Sequence, residues 1–358
     1  MLDSFFGMFS YDVAIDLGTA NTLVWIGGRP LFAGEKKGIV IREPSVVARH
    51  RKTKKFLAIG SEAKRMLGKT PAAVEALRPL RNGVIADFDA TAAMLAYYIQ
   101  KVHNRPGFLV QPTPKPRVIV GIPSGVTEVE RRAVSEAVFE AGAREVFLIE
   151  EPMATAIGGG LTVDDSRGKM VIDIGGGTTE IAVISLSGIV ANRSVRIAGD
   201  EMDEAIASFI RLKHSLLIGQ LTAEEVKITI GSAPGSSSAE KKMVVRGRSL
   251  ENGLPKSVLL SSNEIKEALS GTLNKIVGAI SEVIEATPPE LVGDIMEEGL
   301  LLGGGGALLN GIDTFITREV KMPVTIAEKP KETVVAGAAK LFGNSELLRR
   351  VQVAGGMR

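Results

Sequence analysis

Two segments of the 358-residue chain combine an aspartate with a glycine-rich turn in the same spacing. VAIDLGTANTLVW at 13–25 and VIDIGGGTTEIAV at 171–183 share the order apolar, Asp, apolar, Gly, three residues, Thr. Because glycine has no Cβ, the backbone N–H groups of such a turn can approach a polyphosphate closely. Asp16 and Asp173 would repel phosphate, but their oxygens suit Mg²⁺ held through its water shell. Either turn alone fits an ordinary hairpin, whereas the pair predicts a site that binds a nucleotide's phosphates from two sides.

A third glycine run, LLLGGGGALLNG at 300–311, has the order strand, glycine turn and helix start. By itself it fits a tight turn between a strand and a helix. Beside two phosphate-binding turns, we interpret its glycines as a flat surface for an adenosine ring.

Two adjacent carboxylates, Glu150 and Glu151, stand between an apolar strand and Pro152, a residue that suits the first turn of a helix. Most such pairs only complement the positive end of the helix dipole. In an open α/β sheet, however, the strand end is also where a ligand binds.

The elements that must position these residues alternate between strands and helices, a pattern typical of an α/β protein. The apolar runs predict buried strands at Val13–Ile15, Leu23–Ile26, Val118–Gly121, Val146–Ile149, Met170–Ile172, Ile181–Ser185 and Leu300–Leu302. Thr127 with Glu130, and Thr222 with Glu225, fit the capping box that opens a helix. The repeated Asp–Gly motif predicts two similar halves.

Composition excludes several other functions. The chain has no cysteine and three histidines, which excludes disulfides, cysteine nucleophiles and Cys-ligated metal sites. Its formal net charge is +2, so we expect no nucleic-acid partner. No apolar run is long enough to cross a membrane and no signal-peptide pattern is present, so we expect a cytoplasmic protein.

Other phosphate-binding motifs do not fit. Gly68-Lys69-Thr70 imitates the end of a P-loop, but the position of its first glycine is occupied by Ala63 and a helical stretch precedes it. No G-x-G-x-x-G follows the first strand, which argues against a Rossmann dinucleotide site.

Taken together, these segments resemble the actin/Hsp70/sugar-kinase superfamily and, within it, the MreB family of bacterial actins. The closer resemblance is carried by DLGTANTLV, EPSVVA, RPLRNGVIADF, VERRAV, EAGAREVFLIEEPMATAIG, DIGGGTTEIAVISL and RIAGDEMDEAI, and it extends from about residue 12 to about residue 343. It implies the actin-like ATPase fold, in which two similar domains, each with a larger and a smaller subdomain, surround a nucleotide cleft.

The resemblance also implies a domain division. Domain I would cover residues 1–150, with its smaller subdomain IB at about 30–80. Domain II would cover 151–329, with subdomain IIB at about 191–255. Residues 330–358 would return to domain I.

The function implied is that of an ATP- and Mg²⁺-dependent filament protein that hydrolyses ATP, lies at the inner face of the cytoplasmic membrane and directs cell-wall synthesis and cell shape. Its implied partners are further copies of itself, the membrane surface and proteins of the cell-wall elongation machinery. The rival assignments are an Hsp70-type nucleotide domain and a small-molecule kinase. The first would need a peptide-binding region, yet only ~15 residues follow Gly343; for the second, no base for an acceptor hydroxyl is evident.

Site residues carry over position by position from the resemblance. Thr19, Ala20 and Asn21 match the first phosphate loop, and Gly176, Gly177 and Thr178 the second. Glu224, Glu225, Val226 and Lys227 match the segment that contacts ribose and base, and Gly303, Gly304, Gly305 and Gly306 match the adenosine loop. Glu151 matches the catalytic glutamate, which with Thr178 would orient the attacking water.

Three features depart from the family pattern. Gly303 stands where Thr is usual, the stretch at 27–38 is longer than the usual connection, and the N-terminal segment lacks basic residues.

The N-terminal segment has an apolar face, because Leu2, Phe5, Phe6 and Phe9 follow helical spacing. By sequence alone this face fits a membrane-surface helix and a segment folded onto the core equally well. The resemblance favours the membrane, as do Phe108 and Leu109 in a proline-rich loop similar to the family's membrane-inserting loop.

Overall fold

The computed structural model describes residues 11–27, 37–103, 115–236 and 239–353. Its helices, numbered α1 to α11, are Ser61–Met66, Phe88–His103, Glu128–Glu140, Glu151–Gly158, Gly199–His214, Gln220–Ile230, Ser262–Glu285, Pro289–Glu298, Ile312–Val320, Thr333–Leu341 and Ser345–Val351. Its strands, numbered β1 to β19, are Asp12–Leu17, Asn21–Ile26, Gly38–Pro44, Val47–His50, Phe56–Ile59, Val74–Leu77, Leu80–Arg81, Val84–Ile85, Arg117–Ile122, Glu145–Glu150, Lys169–Ile174, Thr179–Ser185, Gly188–Val195, Leu216–Leu217, Lys242–Ser249, Pro255–Ser261, Leu300–Gly303, Val324–Ile326 and Gln352–Val353. All seven strands expected from the sequence are confirmed.

The described chain divides into two compact units. Unit 1 contains the described residues up to 166, then 184–189 and those from 331 onward. Unit 2 contains 167–183 and 190–330. The sequence-based domain limits at 150 and 329 stay a prediction.

Unit 1 is built on a six-stranded sheet in the order β19-β10-β9-β1-β2-β3. β1 pairs in parallel with β9, and β9 in parallel with β10, while β1 and β2 form an antiparallel hairpin. This register aligns Asp16 with Gly121, so the first aspartate lies at the same edge as the end of β9. The core around this sheet is apolar, with Ile15, Val120 and Leu148 fully buried.

Unit 2 is built on a five-stranded sheet in the order β13-β12-β11-β17-β18. In this sheet β17 is parallel to both of its neighbours, β11 and β18. In unit 1, β9 is likewise parallel to both of its neighbours, β1 and β10. Every residue of β11 and β12 is buried, as expected for central strands covered on both faces. The repeated motif therefore begins the equivalent strand pair of two similarly ordered sheets.

Smaller sheets extend each unit. Unit 1 also contains the three-stranded sheet β5-β4-β6 and the short hairpin β7-β8. Unit 2 also contains the three-stranded sheet β14-β15-β16.

One of the two capping boxes expected from the sequence is confirmed. Thr127 caps α3, and the reciprocal bonds with Glu130 complete a capping box. The expected box at Thr222 is wrong, because α6 begins at Gln220 after Gly219 and no side chain caps it. Thr222 therefore lies inside the helix.

Candidate nucleotide site

The first glycine turn, between β1 and β2, is fixed by Ser45. The Ser45 hydroxyl donates to the Gly18 carbonyl at 2.6 Å, and its N–H donates to the Ala20 carbonyl at 3.0 Å. Because that hydroxyl hydrogen is used on Gly18, the Thr22 hydroxyl must be the donor in its 2.9 Å contact with Ser45. Two carbonyl oxygens that would repel a phosphate are thus engaged by one residue.

Thr19 and Asn21 in this turn have different surroundings. The Thr19 hydroxyl accepts a hydrogen bond from the N–H of Gly83 at 3.1 Å, and the residue is buried. Asn21 is exposed, and Ala20 between them is half-buried. The turn is therefore held from the β7-β8 hairpin as well as by Ser45.

The second glycine turn, between β11 and β12, is fixed in an analogous way. The N–H of Gly199 donates to the Gly175 carbonyl at 3.2 Å, and the N–H of Asp200 donates to the Gly176 carbonyl at 2.7 Å. Both donors belong to the first turn of α5, where N–H groups lack partners within the helix. Thr178 is buried, and its carbonyl accepts from the N–H of Gly175 at 2.9 Å.

The third glycine run lies next to the second turn. Asp173, which is 5% exposed, pairs with Gly303 across β11 and β17. Gly304 has φ +79°, and a Cβ there would approach the Asp173 carboxylate to 2.5 Å and overlap the Ile174 carbonyl. A short 3₁₀ helix, Gly305–Leu308, follows in place of the expected α-helix start. Only glycine fits at 304.

Helix α6 carries the predicted ribose and base segment. Val226 is fully buried, Glu225 is exposed, and Glu224 and Lys227 are half-buried. The Lys227 ammonium donates to the Gly199 carbonyl at 2.6 Å and lies 2.8 Å from the Asp203 carboxylate. This helix is therefore linked to the same first turn of α5 that holds the second glycine turn.

The carboxylate pair lies at the junction of β10 and α4, as expected. Glu150 ends the strand and Glu151 begins the helix, with Pro152 in its first turn. Burial raises the pKa of Glu150, opposed by a hydrogen bond from Ser124 and by the charge of Arg131. A Cβ on Gly121 would lie 3.6 Å from the Glu151 side chain, so Glu151 is close to the end of β9, beside Asp16 in the register.

Within unit 1, the structure thus brings together the first turn, Asp16 and Glu151. Within unit 2, it brings together the second turn, Asp173, the glycine run and Lys227. Sequence reasoning missed Ser45, Gly83 and Asp203. All three stand in segments that carry the family resemblance, namely EPSVVA, RPLRNGVIADF and RIAGDEMDEAI.

Within the residue ranges that the structure describes, no helix has the length and apolar character needed to cross a membrane. No group of three or more His, Asp or Glu side chains is arranged there to hold a metal ion directly. The predicted membrane residues Leu2, Phe5, Phe6, Phe9, Phe108 and Leu109, and most of the 27–38 stretch, lie outside these ranges.

Comparison with known proteins identifies the family of the chain. The family described as MreB/Mbl protein matches residues 10–350. The cell shape-determining protein MreB of Escherichia coli K12 is 51% identical over 345 residues, which cover 95% of each chain. Crystal structures of MreB5 of Spiroplasma citri, one bound to ADP and one to AMPPNP, are similar with TM-scores of 0.86 and 0.85. Their identities are 37% and 38%, with 95% and 94% of this chain and 98% and 96% of those chains covered.

The fold and the paired glycine turns define an actin-like α/β protein. More narrowly, the chain belongs to the MreB/Mbl family of bacterial actin homologues. Family membership decides against the Hsp70-type and kinase alternatives.

Proposed function

We propose that the chain is a filament-forming, cell shape-determining protein whose assembly is governed by binding and hydrolysis of ATP. Nucleotide binding is supported by a feature that both glycine turns share. In each turn two backbone carbonyl oxygens are engaged by donors of the same unit: Ser45 for the first, and the first turn of α5 for the second. Turns whose carbonyls are occupied in this way are suited to an anion, because the groups that would repel it are already neutralised.

Thr19, Ala20 and Asn21, together with Gly176, Gly177 and Thr178, are proposed to bind the phosphates of one nucleotide. The bound ADP and AMPPNP in the Spiroplasma relatives support this assignment. The ribose and base would contact Glu224, Glu225, Val226 and Lys227 on one side and Gly303, Gly304, Gly305 and Gly306 on the other. The glycine at 304 keeps this loop against the end of β11, because a Cβ there would overlap the Ile174 carbonyl.

Mg²⁺ fits the aspartates when it keeps its water shell. Asp16 and Asp173 each stand one residue before the end of a central strand, and each presents hard oxygen ligands. A direct site would need more protein ligands than the described residues bring together. When bound, the ion would neutralise charge on the β- and γ-phosphates. The two carboxylates would orient its waters.

Glu151 is the proposed catalytic residue for hydrolysis, with Thr178 as its partner in orienting the attacking water. Pro152 follows Glu151 in the first turn of α4, and the Glu151 side chain lies beside Gly121 in β9. A carboxylate at such a strand end can orient water toward a phosphate.

Assembly would occur on the inner face of the cytoplasmic membrane, through the N-terminal apolar face and the Phe108–Leu109 tip. Short apolar anchors bind weakly one at a time, so polymerisation would multiply them and raise avidity. Proteins of the cell-wall elongation machinery are the proposed further partners, in keeping with the cell shape-determining relatives.

Ultracentrifugation tests the central claim. With ATP and Mg²⁺ the wild-type protein should sediment as filaments, and with EDTA and no nucleotide it should stay in the supernatant. Gly177→Val, which adds a branched side chain at a buried position of the second turn, should remain soluble in both. Gly188→Val, at an exposed strand position, is the matched control and should sediment. A wild-type protein that stays soluble under every nucleotide condition would refute filament formation.

A further inference from the structure

Asp203 is a buried carboxylate that no part of the proposed nucleotide site uses directly. It lies in the second turn of α5 and is 2% exposed. Its nearest cation is the ammonium of Lys227, 2.8 Å from its Oδ1 atom. Lys227 belongs to α6, so the ion pair joins two helices.

The ion pair continues into the second glycine turn. The Lys227 ammonium also donates to the Gly199 carbonyl at 2.6 Å. The N–H of Gly199 in turn donates to the Gly175 carbonyl at 3.2 Å. A chain of three contacts thus runs from Asp203 through Lys227 and Gly199 to the turn proposed to hold phosphate.

Folding alone does not account for a carboxylate at this position. Removing a charge from water is costly, and a buried ion pair often stabilises a fold less than apolar residues of the same size. The cost is visible here, because burial raises the pKa of Asp203 to about 6 even though Lys227 opposes the shift. Neutral residues in place of both members of the pair would fill the same space with a smaller penalty.

We propose that Asp203 is a positioning residue for nucleotide binding, which holds the Lys227 ammonium against the Gly199 carbonyl and so couples the ribose- and base-contacting helix to the second phosphate turn. The inference rests on the proposed nucleotide site. Without the carboxylate, the ammonium loses the partner that keeps it on α5, and α6 can shift relative to the turn.

The expected effect is a loss of affinity with no loss of folding stability. A charge-assisted hydrogen bond to a fixed partner corresponds to roughly a 10- to 100-fold change in an equilibrium constant. Asp203→Asn should therefore raise the dissociation constant of ATP at pH 7.5 at least ~10-fold. Because Asp203 and Lys227 act as a unit, adding Lys227→Met to Asp203→Asn should raise the constant little further than the larger single effect.

Low pH should weaken ATP binding in the same way as Asp203→Asn does. The charged groups that face Asp203 are Lys227 and Glu224 on α6 and Asp200 on its own helix. As the pH falls through about 6, Asp203 takes up a proton and wild type should come to resemble Asp203→Asn. The ratio of the two dissociation constants cancels the titration of the nucleotide's own phosphates. That ratio should fall toward one by about pH 5.

The experiment is calorimetric titration of ATP with Mg²⁺ into wild type, Asp203→Asn and the matched control Glu204→Gln. Glu204 is the next residue along the helix and is exposed, so the control should bind as wild type does. Asp203→Ser serves as a second variant should Asp203→Asn not fold. Thermal unfolding of each variant is measured in parallel.

Weakened binding by Asp203→Asn with an unchanged or raised melting temperature, and a ratio that falls with acid, would support the inference. Wild-type affinity in a folded Asp203→Asn or Asp203→Ser would overturn it and leave the nucleotide site intact. A ratio of dissociation constants that does not change with pH, together with a lower melting temperature, would also overturn it, because that result indicates a merely structural role. If wild type itself bound no ATP, the proposed function would fall, and the inference with it.

Discussion

Asp173 and Gly303 lie directly opposite each other in the parallel pairing of β11 with β17. The turn after Asp173 and the glycine run after Gly303 therefore leave the same edge of one sheet side by side. The space between them is narrow, since a Cβ on Gly304 would come within 2.5 Å of the Asp173 carboxylate. The second aspartate and the proposed adenosine loop are therefore packed against each other within unit 2.

Replacing Gly304 by alanine should destabilise the protein. The substitution forces a side chain into φ +79° and into overlap with the Ile174 carbonyl, and such strain costs about 1–3 kcal/mol. Urea unfolding should show the loss, and ATP affinity should fall with it. Gly271→Ala is the control: it lies exposed in α7 with open space around it, and should gain roughly 0.5–1 kcal/mol. Equal stabilities for the two variants would contradict the close approach at Gly304.

Glu151→Ala should separate hydrolysis from binding. Loss of a water-orienting carboxylate should lower the rate of phosphate release by roughly 10²-fold or more. The dissociation constant for ATP should barely change, and filaments should persist longer. Glu140→Ala, at the exposed end of α3, removes a carboxylate of the same unit and should hydrolyse ATP normally. Wild-type phosphate release by Glu151→Ala would reduce this residue to a charge at the start of a helix.

The raised pKa of Asp203 predicts that folding stability depends on pH. Its pKa in the folded protein, about 6, lies above the ordinary value of 3.8. Above pH 6 both states are ionised, and the folded state carries the full cost of the buried charge, on the order of 3 kcal/mol. As the pH falls from 7 toward 4, only the folded state takes up the proton, so wild type should gain stability relative to Asp203→Asn.

Chemical denaturation of the two proteins at pH 7.5 and pH 5 checks this sign. Asp203→Asn should be the more stable protein at pH 7.5, and its advantage should shrink at pH 5. Parallel pH curves for both proteins would show that the buried carboxylate carries no such penalty.

Membrane binding should depend on two apolar segments and on assembly. Deleting residues 1–9 together with Phe108→Ser and Leu109→Ser removes the proposed anchors. Liposome co-sedimentation should then be lost, while filaments still form in solution. Wild type should bind liposomes strongly when assembled and poorly as a monomer, because avidity multiplies weak contacts. Undiminished lipid binding by the altered protein would exclude these segments as the anchor.

Local patterns in the sequence predicted the elements better than their limits. The box at Thr127 is real, whereas the similar spacing of Thr222 and Glu225 lies within α6. A Thr-x-x-Glu pattern occurs at helix starts and inside helices alike, and only the preceding chain distinguishes them. Here the helix begins at Gln220, after Gly219, and no side chain caps it.

The glycine turns were evident from the sequence, but the groups that hold them were not. Ser45 reaches Gly18 across 27 positions, and Gly83 reaches Thr19 across 64. Contacts between residues so far apart in the chain depend on the arrangement of the strands within unit 1. The periodic pattern of apolar residues in the sequence does not reveal that arrangement. The burial of Asp203 was not evident for a related reason. An aspartate on a helix normally faces solvent, and this one is buried because α6 packs against its helix.

The close packing of α4 against α10 determines when α4 can be fully packed during translation. A side chain on Gly158 would overlap the carbonyl of Thr333, and one on Gly337 would overlap that of Ala154, so the two helix backbones are in contact. The helix that begins with Glu151 emerges from the ribosome early, whereas its partner emerges only after all of unit 2 has been translated. A nascent chain therefore holds the proposed hydrolytic carboxylate on an incompletely packed helix until translation reaches α10. The proposed ATP turnover would therefore become possible only after residues Thr333–Leu341 have been translated.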